Sequence, residues 1–223
     1  MKIFFIDGSQ SLYASKWAND PKLLMKIPQF FSTRILTMMS LLWSFSMLYL
    51  SYLFADKDRL VYFTIGTFTL CHYITDALDG AVGRYRKEGY IRWGFFVDHV
   101  FDVSLLGCIV ISLFMKQTPL ILEFVVALFS TQMFFIAHFL ADIIKCTSTN
   151  GTSYSAAAFG IPMYVFELSV CCIFFLAGIA NVDRTIFCRT FAIIVALMFG
   201  IYVFLLQEVF AKLDRAQKIF IRY

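Results

Sequence analysis

Four aspartates, three glycines and an arginine are concentrated between positions 76 and 102: Asp76, Asp79, Gly80, Gly83 and Arg84, then Gly94, Asp98 and Asp102. Asp76 and Asp79 are three apart and Asp98 and Asp102 four apart, so on helices each pair shares a face. Four like charges on neighbouring helices repel. Burying them uncompensated costs roughly several kcal/mol per charge, the effective desolvation penalty of an ion in a protein. A divalent cation is the simplest compensation, and all-oxygen carboxylate ligands suit Mg²⁺ or Mn²⁺ better than zinc. Sites of that kind serve phosphate chemistry, where the ion carries part of the phosphate charge.

The elements that must position these residues are apolar. Of 223 residues 60% are hydrophobic and 15% charged, and mean hydropathy is +0.76; a soluble domain averages about 45–50% apolar and about 25% charged. The composition predicts an all-α integral membrane protein. Six apolar stretches, roughly 35–55, 59–82, 94–115, 119–144, 156–180 and 185–211, each reach the ~20 residues that a helix needs to cross a bilayer. Short connections predict one six-helix transmembrane bundle over 35–211, preceded by a cytoplasmic or interfacial segment 1–34 and followed by a basic tail 212–223. The basic and apolar mixture before residue 28 predicts an amphipathic surface helix, interrupted at Asp20-Pro21 because proline tolerates only a first helical turn. Six cysteines without a CxxC pair read as buried apolar thiols. The net charge of +4 is modest, and no nucleic-acid partner is expected.

Basic residues set the expected orientation. With a cytoplasmic N-terminus, that side carries the clusters Lys16–Lys26, Arg84–Arg92 and Lys212–Arg222, and the other side only Lys57, Arg59, Lys116, Arg184 and Arg189. The positive-inside rule therefore predicts that both termini and the acidic group lie on the cytoplasmic side.

The order DxxDGxxxR, then GxxxDxxxD, resembles the signature of the CDP-alcohol phosphotransferases at Asp76, Asp79, Gly80, Arg84, Gly94, Asp98 and Asp102. Gly83 stands where the signature has alanine, nine residues separate Arg84 from Gly94, and Pro28 is followed by Gln29 where members often have asparagine. The resemblance implies that a CDP-linked lipid or alcohol donor gives a phosphoalcohol group to an alcohol or phosphoalcohol acceptor, and CMP leaves. It implies Mg²⁺ or Mn²⁺ held by Asp76, Asp79, Asp98 and Asp102, contact with membrane lipids, and a homodimer. Asp76, Gly80, Gly83, Arg84 and Gly94 would bind the nucleotide, the glycines by admitting it close to the backbone and Arg84 by pairing with phosphate. Asp102 is the first choice for general base, and His99 the second. Arg86, Lys87 and Arg92 fit topology and headgroup contact better than catalysis, and are the candidates for an acceptor phosphate.

Other ionisable residues in apolar stretches are His72, His138, Glu123, Asp142 and Glu167. The histidines are expected to be hydrogen-bonded interior residues. Intramembrane acids are candidates for function by default, but Glu123 fits the far interface and Glu167 a hydrogen bond within the bundle. Two other functions use acid clusters. A prenyltransferase normally needs more spans, with its acids on well-separated helices. An ion or metal transporter has no evident use for the Gly80…Arg84 context.

Overall fold

A computed structural model describes residues 16–88, 92–148 and 163–220; within it the side chains at 16, 92–99, 135, 137–148, 163–166, 202 and 204–220 are outside the description. Among the described residues there are six long helices: α1 (Thr33–Leu53), α2 (Asp58–Arg86), α3 (Arg92–Phe114), α4 (Ile121–Ser148), α5 (Met163–Ala180) and α6 (Arg184–Phe220). No strand occurs among the described residues. Each apolar stretch of the sequence overlaps one of these helices, and positions 156–162 of the fifth lie outside the described residues. Among the described residues, two helical segments, Thr33–Leu53 and Arg184–Ile201, are long and apolar enough to cross a membrane by length and composition, and Val100–Phe114, Thr118–Phe134 and Glu167–Ala180 are shorter apolar segments.

The faces of α1 are inverted relative to a water-soluble helix. Thr37, Ser40, Ser44 and Ser51 are buried, whereas Met38, Leu42, Phe45 and Tyr49 point outward. Hydroxyls inside and hydrocarbon outside suit a helix whose outer solvent is lipid, since lipid offers polar groups no partner and small residues let helices approach closely.

Helix α2 is the hub: it packs on α1, α3 and α5, while α4 packs on α3 and α6. The larger apolar core gathers Met47, Tyr62, Ile65, Leu105, Ile109 and Phe174. At its far edge Arg184 opens α6 and is almost fully buried; its guanidinium donates to the carbonyls of Ala55 at 2.7 Å and Met115 at 3.1 Å and lies 3.4 Å from Asp58. One cation thus ties the α1–α2 and α3–α4 connections to the start of α6.

The described part of the expected N-terminal amphipathic helix is two short turns, a 3₁₀ turn Lys16–Asn19 and a one-turn helix Pro21–Leu24. Asp20 separates them: its side chain accepts from the Lys22 amide at 3.0 Å and Pro21 follows in the first helical position, as capping chemistry favours. Residues 1–15 lie outside the description. Ala18 and Leu24 are buried against Leu36, Ala77, Ala81 and Val82, so this segment docks on α1 and α2. A second arginine holds it there. Arg86, at the end of α2, donates to the carbonyls of Ile27 and Phe31 at 2.8 Å each, and to those of Pro28 and Gln29 at 3.2 and 3.5 Å. Beyond it Lys87 turns into the left-handed region (φ 54°) and ends the helix. Glu88 then accepts from the Thr33 amide at 2.9 Å. Burial alone would raise the Glu88 carboxyl, but hydrogen bonding from Thr33 and the charges of Arg86 and Arg34 hold it below the usual carboxylate range.

Candidate active site

Asp76 and Asp79 occupy adjacent positions on the inward face of α2, with 7% and 6% of their surface exposed. Asp102 lies on α3 and is 9% exposed. It faces the same side of α2: its Oδ1 is 4.0 Å from Nε2 of His72, and His72 stands one turn before Asp76. Three of the four expected carboxylates are therefore buried in the seam where α1, α2 and α3 pack on one another, Asp79 toward α1 and Asp102 toward His72. Gly94, Asp98 and His99 fall within α3, as does Arg92, but their side chains are outside the description.

Helix α1 supplies a donor to this seam. The Thr37 hydroxyl donates to Oδ2 of Asp79 at 2.7 Å, in competition with the Thr33 carbonyl at 3.0 Å. A hydroxyl has one proton to give, and the shorter contact to a charged acceptor is the stronger. One turn on, Ser40 and Thr75 share a hydrogen bond of 3.0 Å. These contacts fix the rotation of α1 against α2. The sequence signal for them is the run Thr33, Thr37, Ser40, Ser44, Ser51, which lines one face at helical spacing.

The glycines behave differently from one another. A Cβ added at Gly83 would lie 3.0 Å from the Thr33 hydroxyl oxygen, so this glycine lets α1 approach α2. A Cβ at Gly80 would meet only the Arg84 guanidinium, at 3.2 Å. Arg84 thus lies over Gly80, and its other terminal nitrogen donates to Oδ1 of Asn19 at 3.0 Å. Asn19, and Trp17 through its 2.9 Å bond to the Tyr73 hydroxyl, bring the N-terminal turns to the end of the seam. Nothing in the spacing of residues 16–20 signalled that role. Arg86 is engaged by the carbonyls of residues 27–31, so an acceptor phosphate would compete with them. Lys87 is exposed.

A second polar group lies one turn deeper. His72 is fully buried, and its Nδ1 is 3.3 Å from Oε1 of Glu167 on α5, itself 1% exposed. Neither ring nitrogen of His72 and neither oxygen of Glu167 makes a hydrogen bond among the described residues. The expectation that both would be hydrogen-bonded within the bundle therefore does not hold. The side chains of His138 and Asp142 are outside the description, and Glu123 lies 3.4 Å from the exposed Arg189. Cys71, Cys108, Cys171, Cys172 and Cys188 are all free thiols; Cys108, Cys171 and Cys188 are buried and Cys172 is exposed.

The donor set of the seam fits a hard divalent ion, since it consists of buried carboxylates with a hydroxyl behind one of them. A family model described as CDP-alcohol phosphatidyltransferase matches residues 30–211, which contain every residue of the seam. No curated protein and no solved structure matches the chain.

Proposed function

The chain belongs to the CDP-alcohol phosphatidyltransferase family, and from that membership we propose that it transfers a phosphoalcohol group from a CDP-linked donor to an acceptor hydroxyl in phospholipid synthesis. The acceptor oxygen attacks the donor phosphorus attached to the alcohol, the bond from that phosphorus to the CMP oxygen breaks, and CMP leaves. The observation that supports this reading is the burial of Asp76, Asp79 and Asp102 on two neighbouring helices.

Asp76, Asp79, Asp98 and Asp102 would hold Mg²⁺ or Mn²⁺. When bound, the ion neutralises charge on the donor diphosphate as the phosphorus–oxygen bond breaks. Thr37 keeps Asp79 in one rotamer. Arg84, already lying over Gly80, is positioned to pair with a donor phosphate, and Gly94 leaves room for the nucleotide on the opposing helix. Asp102 takes the proton of the acceptor hydroxyl as that oxygen attacks, with His99 as the other candidate. Arg92 and Lys87, with Arg86 where it is released from the 27–31 carbonyls, supply positive charge for an acceptor phosphate. The six helices form one bundle in the membrane with both termini and the seam on the cytoplasmic side, where water-soluble acceptors are found, and two chains associate as a homodimer.

The test is CMP release by purified protein in detergent, with Mg²⁺ or Mn²⁺. CDP-diacylglycerol, CDP-choline and CDP-ethanolamine are offered against a panel of alcohol and phosphoalcohol acceptors. Metal-dependent CMP with one pair, lost in Asp102→Asn, is the expected result. Folded protein that binds metal and yields no CMP with any pair would sink the proposal.

A further inference from the structure

We propose that His72, Glu167 and Asp102 form a second metal site, one turn deeper than the aspartates of the signature, that takes a first-row transition ion such as Mn²⁺ or Zn²⁺ through one nitrogen and two carboxylate oxygens. The three side chains come from α2, α5 and α3, and one ligand atom from each lies within 4.8 Å of the others. All three are buried.

The separation of His72 and Glu167 carries the argument. At 3.3 Å, Nδ1 and Oε1 are close enough to hydrogen-bond, yet they do not. An imidazolium held by Glu167 would aim its N–H at the carboxylate. Here the contact lacks the geometry of a hydrogen bond. Two donors at about 2.1 Å from one ion, with an angle of roughly 90–110° between them, sit roughly 3.0–3.4 Å apart. The observed spacing is that of two ligands on one ion. Asp102 Oδ1 lies 4.0 Å from the other ring nitrogen, Nε2, and the three ligand atoms lie within 4.8 Å of one another, so this third arm must move by roughly 1–2 Å to complete the set, which a side-chain torsion can supply.

Charge leads the same way. A divalent ion would offset the cost of burying two carboxyl side chains beside one imidazole. The donor set then decides which ion. Imidazole nitrogen suits transition metals, whereas Mg²⁺ prefers oxygen alone. The inference does not rest on the transferase reading.

The full-length protein in detergent, loaded with Mn²⁺, tests this by pulsed electron paramagnetic resonance, which reports hyperfine coupling from a directly bound imidazole nitrogen. The chain has three histidines, so the source is assignable. The expected result is nitrogen coupling in the wild type that is lost in His72→Gln and retained in His99→Gln. Glu167→Gln should weaken the nitrogen-coupled Mn²⁺ about tenfold or more, and His72→Gln should lower the bound metal by one equivalent per chain. Wild-type protein that binds Mn²⁺ without nitrogen coupling, or that binds none, would overturn the site, and neither result depends on a variant folding. Coupling that persists in His72→Gln, or that disappears in His99→Gln instead, would also overturn it. CMP release without nitrogen coupling would remove this inference and leave the transferase; coupling without CMP from any substrate pair would do the reverse.

Discussion

Asp79 and His72 stand two turns apart on α2 and are about equally hidden, but their surroundings differ. Asp79 receives the Thr37 hydroxyl at 2.7 Å. His72 meets Glu167 at 3.3 Å, and the two make no hydrogen bond. The same contrast runs through the acids of the chain. Glu88, at the polar end of α2, takes the Thr33 amide; Glu167, in the apolar interior, takes no hydrogen bond among the described residues. Near the α2 end the fold provides Asp79 and Glu88 each with a protein donor. Deeper in, it sets Glu167 against His72 and gives neither side chain a hydrogen bond among the described residues. On the proposed metal site, the second arrangement is completed by an ion.

Substitutions can break or sharpen that contrast. The largest effect is expected at Asp102, which belongs to both groups. Asp102→Asn should lower CMP release about 10²–10⁴-fold, the usual contribution of a general base, measured at saturating metal. Thr37→Val leaves the buried Asp79 carboxylate one donor short. It should destabilise the metal-free protein by about 1.5–3 kcal/mol, the typical worth of a hydrogen bond to a charged group, seen as a lower thermal midpoint in EDTA. An unchanged midpoint would mean that Thr37 gives its proton to the Thr33 carbonyl.

Arg86→Ala removes the donors that hold residues 27–31 and should cost about 1–2 kcal/mol, with faster proteolysis in that segment. Arg86→Lys should not restore it, because a point charge cannot reach several carbonyls at once. Glu88 gives a smaller, pH-dependent effect. Its folded-state pKa is lowered, so its contribution is fully present above the ordinary glutamate value of about 4.3. That contribution is lost as pH falls through the lowered value. Its side chain is 33% exposed, so the effect should stay below about 1 kcal/mol, and Glu88→Gln should abolish that part of the acid-induced loss. The smallest change is expected at Glu167. In EDTA, Glu167→Gln should leave the midpoint within about 0.5 kcal/mol or raise it, because it removes a buried charge that has no donor; in Mn²⁺ the variant should gain less than the wild type. A clear loss in EDTA would show that Glu167 is as well satisfied as Asp79, and the contrast would fail.

Much of this was legible in the chain. Hydropathy marked each long helix, because every one needs an apolar face or an apolar circumference. The break at Asp20-Pro21 was readable from capping chemistry. The signature singled out Asp76, Asp79 and Asp102, all of which are buried, because its spacings keep each pair of acids on one helix face. The docking of the N-terminal turns was not legible, since a mixture of lysines and leucines suits a membrane surface as well as a groove on α1 and α2. Nor was the role of Arg86: a basic residue after a helix looks alike whether it meets lipid, substrate or backbone carbonyls.

The sequence by itself determined an apolar, helical chain with a four-aspartate signature near one end of two helices, and with it the family. Those are properties of local spacing and composition. Only the tertiary structure decided that Thr37 donates to Asp79 across 42 residues, that Gly83 serves close packing against Thr33, and that Glu167 comes to rest against His72. Such pairs depend on how α1 and α5 rotate about their own axes when they pack on α2, and that rotation is set by the whole interface, not by the residues that it brings together.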